Sequence, residues 1–135
     1  MTTIESKKVT IAKSPQELYA FLQDMNNFKQ LLPQDRISDW QSDGASCSFK
    51  VQGAATIGLR LAGGTAPGHV HMEATDRSPF PFTLDVHLEQ DGGGTRAWQV
   101  FNAELNTFLK MMVERPLKNL FDHIADKMAA IHGQA

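Results

Sequence analysis

The chain has 135 residues, 41% hydrophobic and 21% charged, which suits one globular domain spanning residues 1–135. Lys and Arg number 13 against 15 Asp and Glu, a formal charge of −2 that excludes the basic footprint of a nucleic-acid binder. The one cysteine, Cys47, excludes an internal disulfide; no stretch reaches the roughly 20 apolar residues of a membrane span, and the polar N-terminus is unlike a signal peptide, so the expected compartment is the cytoplasm.

Thr2 to Ile11 reads as a first strand, with Val9 and Ile11 on one side of Thr10. Ser14-Pro15-Gln16-Glu17 then has the form of a capping box with proline at the first helical position. Leu18, Tyr19, Phe21 and Leu22 follow at helical spacing, which predicts a short amphipathic helix. Asp24 is placed to cap a second short helix carrying Met25, Phe28, Leu31 and Leu32 and stopped by Pro33.

From Ile37 to Leu105 the period is two. Cys47, Phe49 and Val51 alternate with Ser46, Ser48 and Lys50, and Ala55, Ile57, Leu59 and Leu61 continue the pattern after Gly53. Val70, Met72 and Ala74 oppose His69, His71 and Glu73; Phe82, Leu84, Val86 and Leu88 oppose Thr83, Asp85, His87 and Glu89. Asp91 to Gly94 is a turn and Thr95 to Leu105 the last strand. Asn106 or Thr107 then caps a helix to about His132, ended by Gly133. Its stripe is Leu109, Val113, Leu117, Leu120, Ile124, Met128 and Ile131, broadened by Phe108, Met112, Phe121 and Ala125. Pro116 cannot donate to the carbonyl of Met112 and predicts an irregularity there.

Hairpin-linked strands with one apolar face need a cover, and only the C-terminal helix is long enough to supply it. The predicted fold is therefore α+β: a curved antiparallel sheet of about seven strands around the long C-terminal helix, with two short helices after strand 1. A helix across a curled sheet leaves room for a cavity. An empty apolar void of ~300 Å³ would cost on the order of 7 kcal/mol, so side chains collapse into that room or a ligand fills it.

The opening Val9-x-Ile11, then Ser14-Pro15-x-Glu17-Leu18-Tyr19-x-Phe21-Leu22, resembles the start of the START-like (SRPBCC) superfamily. Asn26-Asn27-Phe28 with Leu31-Leu32-Pro33 is similar to its second-helix ending, and the likeness extends over nearly the whole chain. The resemblance implies the helix-grip fold and an apolar ligand held between sheet and helix. The superfamily includes polyketide cyclases, pollen-allergen carriers, lipid-transfer and coenzyme Q-binding proteins, and co-chaperone activators. It has no common catalytic residue, so none is carried over.

Several side chains invite closer reading. His69, His71, Asp85 and His87 have the chemistry of a metal-ligand set, but alternation places them opposite Val70, Met72, Leu84 and Val86, on the solvent side. They are read as solvated, with no metal and no cofactor expected. Gln99 faces inward if a four-residue turn at Asp91 to Gly94 pairs it with Val86; a three-residue turn would instead turn Trp98, Val100 and Asn102 inward. An inward Gln99 either orients a ligand or bonds the helix backbone. Met72, Met111, Met112 and Met128 are read as gap-filling core, with an adaptable pocket wall as the alternative. Cys47 lies on the inward face as an inert thiol, and Asp122, His123 and Asp126 are read as solvated.

The leading expectation is a binding or carrier domain for a small apolar molecule (lipid, polyketide or quinone-like), and no catalytic constellation is identified. Its pocket lining is Phe49, Val51, Ile57, Leu59, Met72, Leu84, Gln99, Phe101, Met112 and Leu120. One alternative is a cyclase or dehydratase using Tyr19, Glu104 or an inward histidine as acid or base. The other is a protein-interaction module, docking through the outer sheet face or a Trp40 and Trp98 patch.

Overall fold

In the computed structural model, which describes residues 1–132, the chain folds as the capping signals direct. Ser14 Oγ accepts from the Glu17 amide at 3.2 Å and Glu17 Oε1 accepts from the Ser14 amide at 3.5 Å, so both halves of the box form. They start α1, Pro15–Leu22, which buries Leu18 and Leu22. Asp24 Oδ1 accepts from the Asn26 amide at 2.9 Å and opens a 3₁₀ helix, Met25–Leu31, that buries Met25, Phe28 and Leu31. Asn106 Oδ1 accepts from the Leu109 amide at 2.8 Å and caps α2, Thr107–His132. The predicted stop at Gly133 lies outside the described residues.

The strands are β1 (Thr2–Glu5), β2 (Val9–Ile11), β3 (Ile37–Ser42), β4 (Ser46–Val51), β5 (Thr56–Thr65), β6 (His69–Ala74), β7 (Phe82–Asp91) and β8 (Gly94–Ala103). They form one antiparallel eight-stranded sheet in the order β1-β8-β7-β6-β5-β4-β3, with β2 also on β8. The eighth strand arises because Thr2 to Ile11 is interrupted. At the break, the Ser6 amide donates to the Gln99 carbonyl and the Gln99 amide donates to Ser6 Oγ, each at 2.9 Å. A hydroxyl thus replaces a ladder carbonyl for one step, and the edge strand resumes at Val9.

Gly92 takes a left-handed backbone (φ 61°) in the β7–β8 turn, and Asp91 pairs with Gly94. That turn sets Val86 opposite Gln99 and Leu84 opposite Phe101, the register that faces Gln99 inward. On β5, Gly63 (φ 115°) and Gly64 (φ 111°) carry a bulge, and a Cβ on Gly64 would collide with the His69 carbonyl. The strand therefore runs through the glycines to Thr65.

α2 lies on the apolar face of the sheet and buries Val113, Leu117, Leu120, Phe121, Ile124 and Met128. The ends of the predicted stripe do not join. Leu109 is half-buried, and Ile131 is 39% exposed. Phe108 (72%) and Met111 (78%) stand exposed on the first turns.

Candidate functional site

The surface that alternation assigns to a ligand is occupied by the protein's own side chains. Phe49, Val51, Ile57, Leu59, Met72, Leu84, Gln99, Phe101 and Leu120 are all buried in the core. Ring packing spans the interior: Phe82 lies 5.0 Å from Phe101, and Phe101 lies 5.5 Å from Phe121 on α2. Of the two outcomes for the void, collapse by packing is the one observed here. Met112, by contrast, is 40% exposed, because Val113 takes the inward helical position beside it. Met72 and Met128 are core as read, whereas Met111 is on the surface.

Gln99 ties sheet to helix. Its Nε2 donates to the Phe121 carbonyl at 2.9 Å, while Oε1 is buried with no partner among the described residues. Cys47 is buried, and burial, helped by Asp43, pushes its thiol up to about 12, far from a nucleophile at neutral pH.

Open space lies at the mouth, where the loop after the 3₁₀ helix meets the end of β4 and the middle of α2. This cleft has a volume of about 620 Å³. Its apolar lining is Pro33, Val51, Pro116 and Leu120; its polar lining is Asp35, Arg36, Gln52, Arg115, Asn119 and His123. Thus Val51 and Leu120 are the two expected pocket residues that line it. A neighbouring hollow shares Pro33, Asp35 and His123 and adds Lys29 and Lys127.

Backbone bonds fix the walls. The Arg36 amide donates to the Pro33 carbonyl and the Gln52 amide to the Arg36 carbonyl, both at 2.9 Å, which ties the loop to β4. Gln34 Nε2 donates to the carbonyls of Lys29 (2.8 Å) and Leu32 (2.9 Å), fastening the loop to the end of the 3₁₀ helix. Across the cleft, Pro116 leaves the Met112 carbonyl without its usual helical donor. Neither Arg36 nor Arg115 forms an ion pair with another described residue.

His123 is the residue that sequence reasoning missed. Its Nε2 is buried and has no hydrogen-bond partner among the described residues. Burial, ahead of the charge of Lys127, holds its pKa below the ordinary value of 6.5, so the ring is neutral at pH 7. The available signal was its position three residues after Leu120, at the border of the stripe. Its polar neighbours do other work: Asp122 Oδ1 accepts from the Lys7 amide (2.7 Å) and from Lys118 Nζ (3.0 Å), and Asp126 pairs with Lys7 Nζ at 2.8 Å. Together they fasten α2 to the β1–β2 break.

Tyr19 and Glu104 do not line the cleft; Tyr19 packs on the core and Glu104 sits beside the N-terminus. Trp40 and Trp98 do not form a joint patch, since Trp40 on β3 stacks on buried Phe49 while Trp98 on β8 stacks on His87, with four strands between them.

No family model matches the chain. No curated protein matches it in sequence. Solved structures do match in shape. The KanY protein superposes with a TM-score of 0.76 at 12% identity, covering 96% of each chain. XoxI from Bacillus cereus gives 0.69 at 13%, covering 98% of this chain and 96% of the other. The Aha1 dimer from Colwellia psychrerythraea gives 0.64 at 15%, covering 98% and 94%. At these identities the likeness establishes the fold, a helix-grip arrangement of curved sheet and long terminal helix.

Proposed function

We propose that the chain is a START-like, cytoplasmic single-domain carrier that binds a small molecule with an apolar body and an anionic or strongly polar end at the mouth cleft. The observation that carries this reading is the buried Nε2 of His123, without a partner among the described residues, in a cleft that combines an apolar lining with two arginines that pair with no described residue. Burying the ligand's body against Val51, Leu120, Pro33 and Pro116 supplies affinity, at roughly 25 cal/mol per Å² of apolar surface. Arg36 and Arg115 supply donors for a carboxylate, and charge-assisted bonds of that kind are the strong ones. The neutral His123 ring offers one further donor or acceptor, according to its tautomer.

Calorimetric titration with decanoate and with decanol tests it. Decanoate binds one per chain, and the double variant Arg36→Ala/Arg115→Ala weakens it by about tenfold or more, the loss of a hydrogen bond to a charged group. Decanol binding changes much less. No saturable decanoate binding, or binding indifferent to both arginines, sinks the reading.

The neutral ring of His123 favours one second reading, a cyclase or dehydratase-like enzyme in which this imidazole is the acid–base group. Turnover of a polyketone substrate, lost in His123→Ala while decanoate binding persists, distinguishes it from a carrier.

A further inference from the structure

The convex face of the sheet, away from the cleft, holds a second constellation. β6 and β7 pair with His71 directly opposite Asp85 and His69 directly opposite His87. Alternation sends all four side chains outward, as the sequence implies, but they are not simply solvated. The side chains of His69, His71 and Asp85 retain 33%, 25% and 18% of their exposure. His69 Nε2 and His71 Nδ1 each lie 2.6 Å from the same oxygen, Asp85 Oδ1. One ligand atom from each of the three residues falls within 4.8 Å of the other two.

We propose that His69 Nε2, His71 Nδ1 and Asp85 Oδ1 bind one divalent transition-metal ion of the borderline class, such as Zn²⁺. Two imidazoles and a carboxylate are the ligand chemistry of that class; Ca²⁺ and Mg²⁺ prefer all-oxygen shells. The two nitrogens already converge on the one carboxylate oxygen. Ligands about 2.0–2.1 Å from a zinc ion stand a little farther apart than hydrogen-bonded atoms do, so the ion enters by displacing the shared imidazole protons while the side chains spread slightly. Three protein ligands on an accessible face leave at least one position to water.

The surroundings fit this assignment. The far nitrogen of His71, Nε2, lies 3.4 Å from Glu73 Oε2, and Glu73 is in turn held by Arg60. A carboxylate behind a ligating imidazole fixes its tautomer and raises its basicity. On the other side the His69 ring stacks on His87 at 5.1 Å with 6° between planes, and His87 stacks on Trp98 at 5.2 Å. Both rings are therefore oriented before any ion arrives.

The test is titration of tag-free, chelator-stripped protein with Zn²⁺ by calorimetry and with Co²⁺ by its visible absorption. One ion binds per chain, and His71→Ala and Asp85→Asn each weaken binding by more than about tenfold, at least the loss typical of removing a supporting partner. In the unsubstituted protein, the ¹⁵N resonances of His69 and His71 shift with Zn²⁺ while those of His123 and His132 stay put; this arm needs no variant to fold. Absence of saturable binding overturns the proposal. So does binding that persists in both variants or shifts only His123 or His132. The cleft is on the opposite side of the sheet, so neither outcome bears on decanoate binding.

Discussion

The two faces of strands β6 to β8 are built from alternate residues of the same segments, yet different physics holds each together. On the concave side Val70, Met72, Leu84, Val86 and Phe101 are buried in the hydrophobic core, with Phe101 packed on Phe121 of α2. On the convex side His69, His71, Asp85, His87 and Trp98 form a ladder of hydrogen bonds and stacked rings, closed by Lys8 Nζ at 4.6 Å from the Trp98 ring centre. The concave layer depends on volume and is indifferent to pH. The convex layer depends on protonation and is tolerant of volume. The stability of the fold should reside mainly in the first, and its response to solution conditions in the second.

Phe101→Ala strikes the concave layer hardest. Phe101 bridges Phe82 and Phe121 at the centre of the grip, so its truncation costs about 3–5 kcal/mol, read from urea denaturation midpoints. A cost as small as that of a surface change would break the comparison at once.

Asp85→Asn acts on the convex layer and carries a pH signature. The hydrogen bond to Asp85, reinforced by its charge, raises the pKa of His71 above 6.5. Burial alone would raise that of Asp85, but the bonds from His71 and His69 outweigh it and hold the carboxyl below 3.8. The raised histidine contributes stability that is complete below 6.5 and lost as pH rises through its folded value. The lowered carboxyl contributes stability that is complete above 3.8 and lost as pH falls through its folded value. The pair is therefore worth most between about pH 4 and 6.5. Because both groups keep some solvent contact, the difference between Asp85→Asn and the unsubstituted protein should be about 1 kcal/mol at pH 5.5, shrinking toward pH 9. Taking that difference cancels the opposite contribution of His123, whose lowered pKa costs stability as pH falls below 6.5, whereas His87 loses the upward pull of the Asp85 charge in the variant and adds to the difference at low pH.

Gln99→Leu sharpens the comparison from inside. It removes a bond to the Phe121 carbonyl together with an oxygen that has no partner among the described residues, two effects of similar size and opposite sign. The net change should stay within about 1 kcal/mol by denaturation, small for so deeply buried a site. Smallest of all is Met111→Ser on the exposed first turns of α2, expected within about 0.5 kcal/mol.

Much of the concave layer was legible in the sequence because alternation and helical spacing are local. The cap residues, the α2 stripe from Val113 to Met128 and the inward set on β4 to β7 follow from patterning alone. What could not be read depends on partners distant in the chain. The break at Ser6 exists because a hydroxyl can take the Gln99 amide, 93 positions away. Gln99 was inward in one register and outward in another until the turn at Gly92 was known. Met112 and Val113 differ by one helical step, too fine a distinction for a stripe broadened to include both. His123 looked solvated because its closing loop, Pro33 to Arg36, is supplied by another part of the chain. On the convex side alternation told which way the histidines point. It could not tell that His69 and His71 share one oxygen of Asp85, which is a matter of cross-strand register.

The central claim is that the sheet and α2 meet through filled packing, so that the proposed ligand would be received at the mouth and not in the middle. Intermolecular nuclear Overhauser effects from decanoate to assigned methyl groups measure this directly. The account predicts contacts to Val51 and Leu120 with none to Leu59 or Leu84. Contacts to Leu59, Leu84 and Ile57 would mean that the interior opens around the ligand, and would contradict it.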